Sequence, residues 1–392
     1  MKTLAASGAS HQTDTTAATT EAVKLALARL GTSAQWGVLF ASSKHDLAQA
    51  MRAARAAAPG CQLIACHTAG EFTEQGKLEG GLVVLLASSP AMVEGAGATG
   101  VAQDHAGVAR QLTAGFAALA QKAAAKGFGL STSVLLVDGL AGTGESLVKE
   151  VLGGTRAFQQ IVGGAAGDDG QFKATGVAGG GIAAADSAAV LHVFGNRAWG
   201  VGLDHGLRPT TQKMTVTRAT GNVLWELDGK PAFEAYRSYA KGKGVTLEPA
   251  SAGSFLIGNE LGVYFLDELH HARAPVGVGP KGELKLVADM AQGAQVCILD
   301  GEPDAMVEAC HRAALQAKAG LAGARAAGVL VFDCICRGMI LGRQFQRELD
   351  AVRRVFPETP LAGFLTYGEI ARFRGKLEGW HNTTAVIAAI PE

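Results

Sequence analysis

The stretch Leu361-Ala-Gly-Phe-Leu-Thr-Tyr-Gly-Glu369 is a short apolar run that closes on a glycine and an acid. Two other stretches have the same form: Leu63-Ile-Ala-Cys-His-Thr-Ala-Gly-Glu71 and, in outline, Gln160-Ile-Val-Gly-Gly-Ala-Ala-Gly-Asp168. Each copy follows a strand-like run and a helix-like segment, and another apolar run comes after it. Because internal repeats determine an architecture, the sequence predicts one β-α-β-(Gly-acid turn)-β unit that occurs three times.

Alternating strands and helices of this kind predict parallel or mixed sheets flanked by helices. The expected fold class is therefore α/β, with two domains that contain mixed parallel and antiparallel sheets. The pattern changes at Glu226-Leu-Asp-Gly-Lys-Pro231, where we place the domain boundary. The predicted organisation is an N-terminal tail and helix over residues 1–30, one α/β domain over 31–225 and a second over 226–392.

Composition narrows the classes of partner. The 392 residues include 35 basic and 35 acidic side chains, and this balance predicts neither nucleic acid nor an anionic membrane as a partner. Apolar runs are shorter than a membrane span requires, and the first residues lack the sustained apolar core of a signal peptide. Six cysteines in so long a chain suit a reducing compartment. We expect a cytoplasmic protein with small-molecule or protein partners.

The Gly-acid turns are the candidate ligand site, because ligands of open α/β sheets bind at the carboxyl ends of strands. The third copy has an arginine, Arg337, just past the strand before it, and a His-Asn pair before the closing strand. An arginine suits an anionic ligand group. The candidate contacts from all three copies are Arg337, Tyr367, Gly368, Glu369, His381, Asn382, Cys66, Thr68, Glu71 and Asp168. Ordinary turn chemistry is the alternative explanation of the Gly-acid pairs.

Two catalytic motifs are incomplete. Cys66, His67 and Glu71 are the residue types of a nucleophile, a base and an orienting acid, but neighbours on a strand point to opposite faces, so a thiol or acid-base hydrolase is the weaker hypothesis. The loop from Gly139 to Ser146 resembles a phosphate-binding loop, with Glu145 where that loop requires lysine. Glu145 suits a helix N-terminus, whose backbone amides can still accept a small carboxylate.

Haem is the cofactor alternative. The covalent attachment signature Cys-x-x-Cys-His does not occur in the sequence, and non-covalent haem requires only an axial ligand such as histidine. His192, within an apolar strand-like run, and His205, just after another, are candidate axial ligands.

Several motifs together resemble one family. They are Cys66-x-Thr-Ala-Gly-Glu71, Asp138-Gly-Leu-x-Gly-x-Gly-Glu145, Gly163-Gly-Ala-Ala-Gly-Asp-Asp169, Glu226-Leu-Asp-Gly-Lys-Pro-Ala232 and Gly363-Phe-x-x-x-Gly-Glu369 with His381-Asn-x-Thr384. This set is similar to the FIST family, in which FIST N and FIST C domains occur in tandem, and the likeness runs from about Trp36 to Ile390.

That resemblance implies a sensory, non-catalytic protein of signal transduction that binds small ligands such as amino acids. It also implies a signalling partner in trans: a histidine kinase, a cyclase or phosphodiesterase, or another signalling protein. An amino-acid-like ligand would place its ammonium group at an acid and its carboxylate at Arg337. One similar branch, the nitric-oxide sensors called NosP, binds haem, so a haem-based nitric-oxide sensor is the alternative function.

Overall fold

The structure is a computed structural model, and it describes residues 2–155, 160–373 and 379–392. In chain order the strands are β1 (Leu4–Ser10), β2 (Trp36–Ser42), β3 (Gln62–Thr68), β4 (Glu71–Thr73), β5 (Gly76–Lys77), β6 (Leu82–Ser88), β7 (Met92–Thr99), β8 (Leu130–Val137), β9 (Gln160–Ala165), β10 (Val177–Gly179), β11 (Ile182–Ala184), β12 (Ser187–Gly195), β13 (Gly200–Asp204), β14 (Arg208–Pro209), β15 (Met214–Thr220), β16 (Val223–Leu227), β17 (Lys230–Pro231), β18 (Leu261–Phe265), β19 (Glu268–Arg273), β20 (Pro275–Val278), β21 (Leu284–Leu286), β22 (Gln295–Asp300), β23 (Ala326–Cys334), β24 (Leu361–Thr366), β25 (Glu369–Arg372), β26 (Trp380–His381) and β27 (Ala385–Pro391). The helices are α1 (Thr15–Leu30), α2 (Leu47–Ala57), α3 (Val101–Thr113), α4 (Phe116–Ala124), α5 (Gly144–Thr155), α6 (Ala232–Gly242), α7 (Gly253–Gly258), α8 (Pro303–Gly320), α9 (Ile335–Leu341) and α10 (Gln346–Val355).

Three sheets have one design. Their strand orders are β1-β6-β2-β3-β10-β11, β7-β12-β8-β9-β25-β26 and β13-β27-β23-β24-β4-β5. In each sheet two central strands pair in parallel, as β2 does with β3, β8 with β9 and β23 with β24, and helices connect them. The other pairings within these sheets are antiparallel. The predicted fold class, α/β with mixed sheets built from a repeated unit, is confirmed.

The outer hairpin of each sheet comes from a different repeat. The hairpin β4–β5, which follows the first Gly-acid turn, pairs with β24 of the third sheet. The hairpin β25–β26, after the third turn, pairs with β9 of the second sheet, and β10–β11, after the second turn, pairs with β3 of the first. The three units therefore exchange hairpins in a closed cycle, and the two halves of the chain share sheets.

The inner faces of the three sheets form one core. Strands β2 and β6 are buried along their whole length, as expected for strands covered on both faces. Phe40 of the first sheet lies 4.6 Å from Phe364 and 6.2 Å from Phe332 of the third sheet, measured between ring centroids. Helices α1, α3 and α8 pack on the outer faces of the first, second and third sheets, respectively. Apolar residues on both faces of each sheet thus account for the high apolar content.

Residues 205–302, here called the insert, interrupt the third unit between β13 and α8. Their strands form a separate sheet in the order β19-β18-β22-β15-β16-β21-β20, with β14 and β17 at its sides. The insert has its own core around Phe233, Tyr236 and Leu256. The expected boundary between residues 225 and 226 falls within strand β16, inside the insert.

Among the residues that the structure describes, no helix is both long enough and apolar enough to cross a membrane.

Candidate functional site

The three turns meet at the carboxyl ends of the parallel strands. Backbone N–H groups in the turns donate in a cycle: Ala69 to the Leu365 carbonyl at 3.0 Å, Tyr367 to the Ala165 carbonyl at 3.1 Å, and Gly167 to the His67 carbonyl at 3.0 Å. Each turn therefore binds the strand of another repeat. The turns form the junction where the three units join.

The acids of the first and third turns are internal. Glu71 accepts hydrogen bonds from the Thr68 hydroxyl at 2.6 Å and from the backbone N–H of Gly81 at 2.7 Å. Glu369 is bonded in the same way by Thr366 and by the backbone N–H of Thr384 at 3.0 Å. Gly81 and Thr384 each precede the antiparallel strand that follows. Both carboxyls thus connect a turn to the next strand of its unit.

Burial also shifts the pKa of these acids. Both side chains are fully buried. Desolvation raises the pKa of Glu71 to about 7, and it raises the pKa of Glu369 well above its ordinary value. Both carboxyls are enclosed inside the junction and already accept hydrogen bonds from protein groups, so they are poorly placed to meet a ligand ammonium group and their role is structural.

The second turn brings two predicted residues together. Asp168 accepts hydrogen bonds from the backbone N–H groups of Phe172, Lys173 and Ala174, and from the Tyr367 hydroxyl. The Tyr367 ring stacks on Phe172 with the centroids 4.4 Å apart. Burial and the Asp168 carboxylate raise the pKa of Tyr367. This contact, between residues far apart in sequence, holds the loop after the second turn in place.

Arg337 does not present a free cation to a ligand. Its guanidinium is fully buried, with Nε 2.9 Å from the Asp333 carboxylate and Nη2 paired with Glu348. Nη1 donates to the His205 carbonyl and Nη2 to the Met306 carbonyl, both at 2.8 Å. The expectation that Arg337 binds a ligand carboxylate is therefore corrected. Arg337 holds β23, α8, α10 and the start of the insert together.

The remaining predicted contacts are also engaged inside the protein. His381 Nε2 lies 3.0 Å from the Ala371 carbonyl, and the Asn382 amide donates to the His381 carbonyl at 3.1 Å. Cys66 lies in the core between the sheets, where burial raises its pKa well above the ordinary value. A thiolate is disfavoured there, so Cys66 has the character of a structural thiol and not of a nucleophile.

The two candidate haem ligands differ in their surroundings. His192 is buried, with Nδ1 2.6 Å from the Ser133 hydroxyl and Nε2 3.0 Å from the Leu112 carbonyl. Desolvation lowers its pKa to about 4. Because both ring nitrogens are already hydrogen-bonded, His192 does not fit an axial role.

His205 accepts a hydrogen bond at Nδ1 from the backbone N–H of Leu207 at 2.9 Å. Its carbonyl accepts from Arg337, which fixes the backbone at this point. Within residues 2–155, 160–373 and 379–392, no three His, Cys, Asp or Glu side chains are grouped to hold a metal ion. These surroundings give no specific support for haem.

A groove of about 570 Å³ lies between helix α5 of the second unit and the insert. Its cations are Lys149 and Arg273, and its anions are Glu145 and Asp289. Apolar side chains form the rest of the wall, together with small residues and a histidine: Val263, Tyr264, Phe265, Met290, Ala291, Ala294, Gly221 and His271. Charges of both signs thus face one volume beside an apolar wall.

An ion pair joins the two sides of this groove. Arg273 Nη2 lies 3.1 Å from Glu145 Oε1, and Arg273 Nε donates to the Asp289 carbonyl at 3.2 Å. Lys149 Nζ lies 3.5 Å from the same Glu145 oxygen. The pair between Arg273 and Glu145 crosses from the insert to the ring of sheets. A ligand in the groove would contact both parts of the molecule.

A small cavity of about 30 Å³ borders the groove and shares Glu145 and Asp289 with it. Its other walls are the glycine-rich loop that leads into α5, Val287 and Ala288 of the insert, and Trp380. The Trp380 ring lies so close to Gly144 and Gly368 that a Cβ atom at either position would overlap it. Gly368, a predicted ligand contact, therefore leaves the space that the Trp380 ring occupies.

Sequence reasoning identified this site only in part. The glycine-rich loop followed by Glu145 indicates the start of a helix, and the sequence pattern around Glu145 favours a role at the helix N-terminus over ligand binding. Arg273 and Asp289 lie in the insert, where nothing in their own neighbourhood marks them as site residues.

A further groove of about 600 Å³ lies beside the start of β23 and residues 357–360, at the amino ends of the parallel strands. That end is less typical of α/β ligand sites.

Comparison with known proteins identifies the family. Residues 35–230 match the FIST N domain and residues 232–372 match the FIST C domain. The chain is similar to uncharacterized proteins of Mycobacterium bovis and Mycobacterium tuberculosis, at 26% identity over 196 residues, or 47% of this chain and 49% of each relative. It thus spans about half the length of the curated relatives it matches. With both domains matched in tandem, the chain belongs to the FIST family, whose domains are sensory domains of signal-transduction proteins.

Proposed function

We propose that this protein is a cytoplasmic sensor that binds a small amino-acid-like ligand in the groove between α5 and the insert. The observation that carries the proposal is the groove itself, where Lys149, Arg273, Glu145 and Asp289 lie beside an apolar wall. Small-ligand sites are typically apolar clefts with a few convergent polar groups. A zwitterion with an apolar side chain has the matching chemistry.

The position of the groove suits a sensor. One wall belongs to the second unit of the ring and the other to the insert, and the ion pair of Glu145 with Arg273 already crosses between them. A ligand that contacts both walls favours whichever relative position of the two parts binds it more tightly. We infer that this position is the signal, and that a separate histidine kinase, cyclase or phosphodiesterase reads it by contact.

Cytoplasmic location and a non-catalytic role belong to the same proposal. All six cysteines are free and buried, in keeping with a reducing compartment. The Cys66 thiol lies away from the groove and has a raised pKa, so it offers no nucleophile there. Binding is then the activity that the groove supports.

The test is a thermal-shift screen with the twenty L-amino acids. At least one of them should raise the melting temperature, and the rise should increase with its concentration. At 100 times its Kd, the ligand should increase the free energy of unfolding by about 2.7 kcal/mol. Lys149→Met and Asp289→Asn, both at exposed positions, should weaken the affinity for that amino acid about tenfold, a loss of about 1.4 kcal/mol of binding free energy. Lys126→Met, an exposed lysine outside the groove, is the matched control. If none of the twenty amino acids raises the melting temperature of the wild-type protein, the proposal is wrong.

A further inference from the structure

The insert contacts the ring of sheets through a buried acid. Glu260 lies in the insert just before β18 and is fully buried. Its carboxyl accepts a hydrogen bond from the hydroxyl of Thr383, which belongs to the loop 382–384 between β26 and β27 of the ring. The backbone carbonyl of Glu260 accepts from the N–H of Leu299 at 2.7 Å, which fixes its main chain within the insert. A carboxyl held by the insert is thus bonded to a loop of the ring.

Thr383 has an unusual backbone conformation. Its φ of 52° lies in the left-handed region, which is rare for a β-branched residue. In the first unit the equivalent position is Gly80, because in both units the N–H of the following residue donates to the acid of the Gly-acid turn. Gly80 has a φ of 70°, which glycine adopts readily. The third unit therefore has a strained threonine in the place of a glycine, and its hydroxyl meets the insert.

The strain at Thr383 is held by groups on both sides of the interface. Such conformations persist only where the surroundings fix them. The Thr383 hydroxyl bonds to Glu260, and the Thr383 carbonyl accepts from Arg337 Nη1 at 3.3 Å. The same Nη1 donates to the carbonyl of His205, the first residue of the insert. The conformation of the loop 382–384 is therefore tied to the docked position of the insert.

The titratable and charged groups that face Glu260 come from three elements. They are Tyr236 of α6, Cys334 at the end of β23, and Cys336 and Arg337 of α9. Burial raises the pKa of Tyr236 and of Cys334 well above the ordinary values, so both stay uncharged near neutral pH. The Arg337 guanidinium is already shared by two other carboxylates. An ionised Glu260 would have to compete with them for this cation.

Burial links the charge of Glu260 to the position of the insert. Desolvation raises its pKa to about 8, against the smaller opposing effects of Thr383, Cys336 and Arg337. Loss of the proton leaves a negative charge in a fully buried place, which is unfavourable. When the insert separates, the carboxyl meets water and its pKa returns towards the ordinary value of 4.5. Between these two pH values the docked insert therefore binds one more proton than the separated insert.

We propose that Glu260 and Thr383 form a proton-dependent switch between the insert and the ring. The protonated carboxyl holds Thr383 in its left-handed conformation and keeps the insert docked. Loss of the proton favours separation, which lets the loop 382–384 relax and releases the bond from the Thr384 N–H to Glu369 at the junction. The proton is thus an input of its own, and the switch requires no ligand in the groove.

The experiment is hydrogen exchange of the full-length protein, followed by mass spectrometry from pH 5.5 to 9 without added ligand. Each rate is divided by the intrinsic exchange rate at that pH. Protection of the loop 382–384 and of residues 258–262 should fall about tenfold per pH unit up to about pH 8 and then level off, because the docked form binds one more proton. In Glu260→Gln, which has no proton to lose, the fall should be shallower by about tenfold per pH unit.

Glu71→Gln is the matched control. Glu71 is also a fully buried acid with a raised pKa and a threonine hydroxyl as donor, but its partners Thr68 and Gly81 belong to the ring. This variant should keep the wild-type pH dependence of protection in both segments. A melting curve of each variant shows whether it is folded, and the pH series of the wild-type protein is a test that needs no variant.

Three results would overturn the switch. The first is a wild-type protein whose corrected protection in the two segments does not change between pH 6 and 8. The second is Glu260→Gln with the wild-type pH dependence, which would assign the proton to another group. The third is Glu71→Gln with a shallower pH dependence, since the proton would then be linked to unfolding of the whole ring. No amino acid is present, so these results are separate from the test of the proposed function.

Discussion

Arg337 shows how one residue can look like a ligand contact in the sequence and be structural in the fold. It follows a strand end, where α/β proteins bind anions, but two carboxylates converge on it from β23 and α10. Asp333 is four residues before it in the chain, and Glu348 belongs to the next helix. A buried guanidinium requires such partners because an unpaired internal charge is very unfavourable.

Replacing Arg337 by Met should destabilise the protein by about 3–5 kcal/mol, because Asp333 and Glu348 would remain buried without a cation. Urea unfolding followed by circular dichroism measures the change. The control is Arg325→Met, whose partner Glu392 lies 2.9 Å away on the surface, and it should cost less than about 1 kcal/mol. Adding Glu348→Gln to Arg337→Met should recover part of the loss. An Arg337 variant as stable as the control would contradict the ion-pair interpretation.

At the scale of elements, the first strand of a unit approaches its helix very closely. Gly8 on β1 faces the backbone of Ala22 in α1, and Gly202 on β13 faces the backbone of Ala313 in α8. The two glycines occupy equivalent places: Gly8 pairs with Val84 of β6, and Gly202 pairs with Ile387 of β27. A side chain at either position would collide with a helix carbonyl, so glycine sets the distance between helix and sheet.

Gly202→Ala should therefore destabilise the protein by about 1–3 kcal/mol or more, the usual effect of overpacking. The measurement is the melting temperature together with the free energy of unfolding in urea. Gly153→Ala on helix α5 is the matched control, since no atom lies within 4 Å of its added Cβ. This control should be neutral or stabilising by up to about 1 kcal/mol, because alanine favours a helix over glycine. Equal stabilities of the two variants would refute the close-packing argument.

The hairpins after the turns are the second feature at this scale. Each consists of two short strands, and an isolated hairpin is at best marginally stable in water. The hairpin β4–β5 is ordered by its pairing with β24, more than 280 residues further along the chain. The pairing of such hairpins is the feature least predictable from local sequence, because the partner strand lies far away in the chain.

At the scale of the whole molecule, the exchange of hairpins joins the three units into one closed assembly. The second sheet takes its outer strands β25 and β26 from the third repeat, and the third sheet takes β4 and β5 from the first. Removing one repeat therefore exposes sheet edges in both others. We expect the ring to unfold as one cooperative unit.

A cut at the exposed Asn196–Arg197 turn tests this. Residues 1–196 produced alone should lack a cooperative melting transition, because the second sheet loses β25–β26 and β4 loses its partner. The same fragment produced together with residues 197–392 should form a stable complex that melts cooperatively, as measured by co-purification and calorimetry. Independent cooperative folding of residues 1–196, with a melting temperature close to that of the intact chain, would show that the exchange contributes little.

The sequence by itself determined the repeated unit, the α/β class and the parallel pairs joined by helices. These follow from local patterns: apolar runs of strand length, helix starts and stops, and glycines that end a strand. It also located the three turns and the glycine-rich loop before α5. The family resemblance, and with it the sensory class, was visible in the same motifs, because they are contiguous stretches of chain.

Only the tertiary structure decided which residues share a site. The Glu71 and Glu369 carboxyls and Arg337, all expected at a ligand, are buried among protein partners. Arg273, by contrast, reaches Glu145 from the insert, whose packing on α5 cannot be predicted from local sequence patterns. The physical reason is that hydrogen bonding and charge pairing act over a few ångströms in space. Residues more than a hundred positions apart come within that range only when the sheets exchange hairpins and the insert packs on α5.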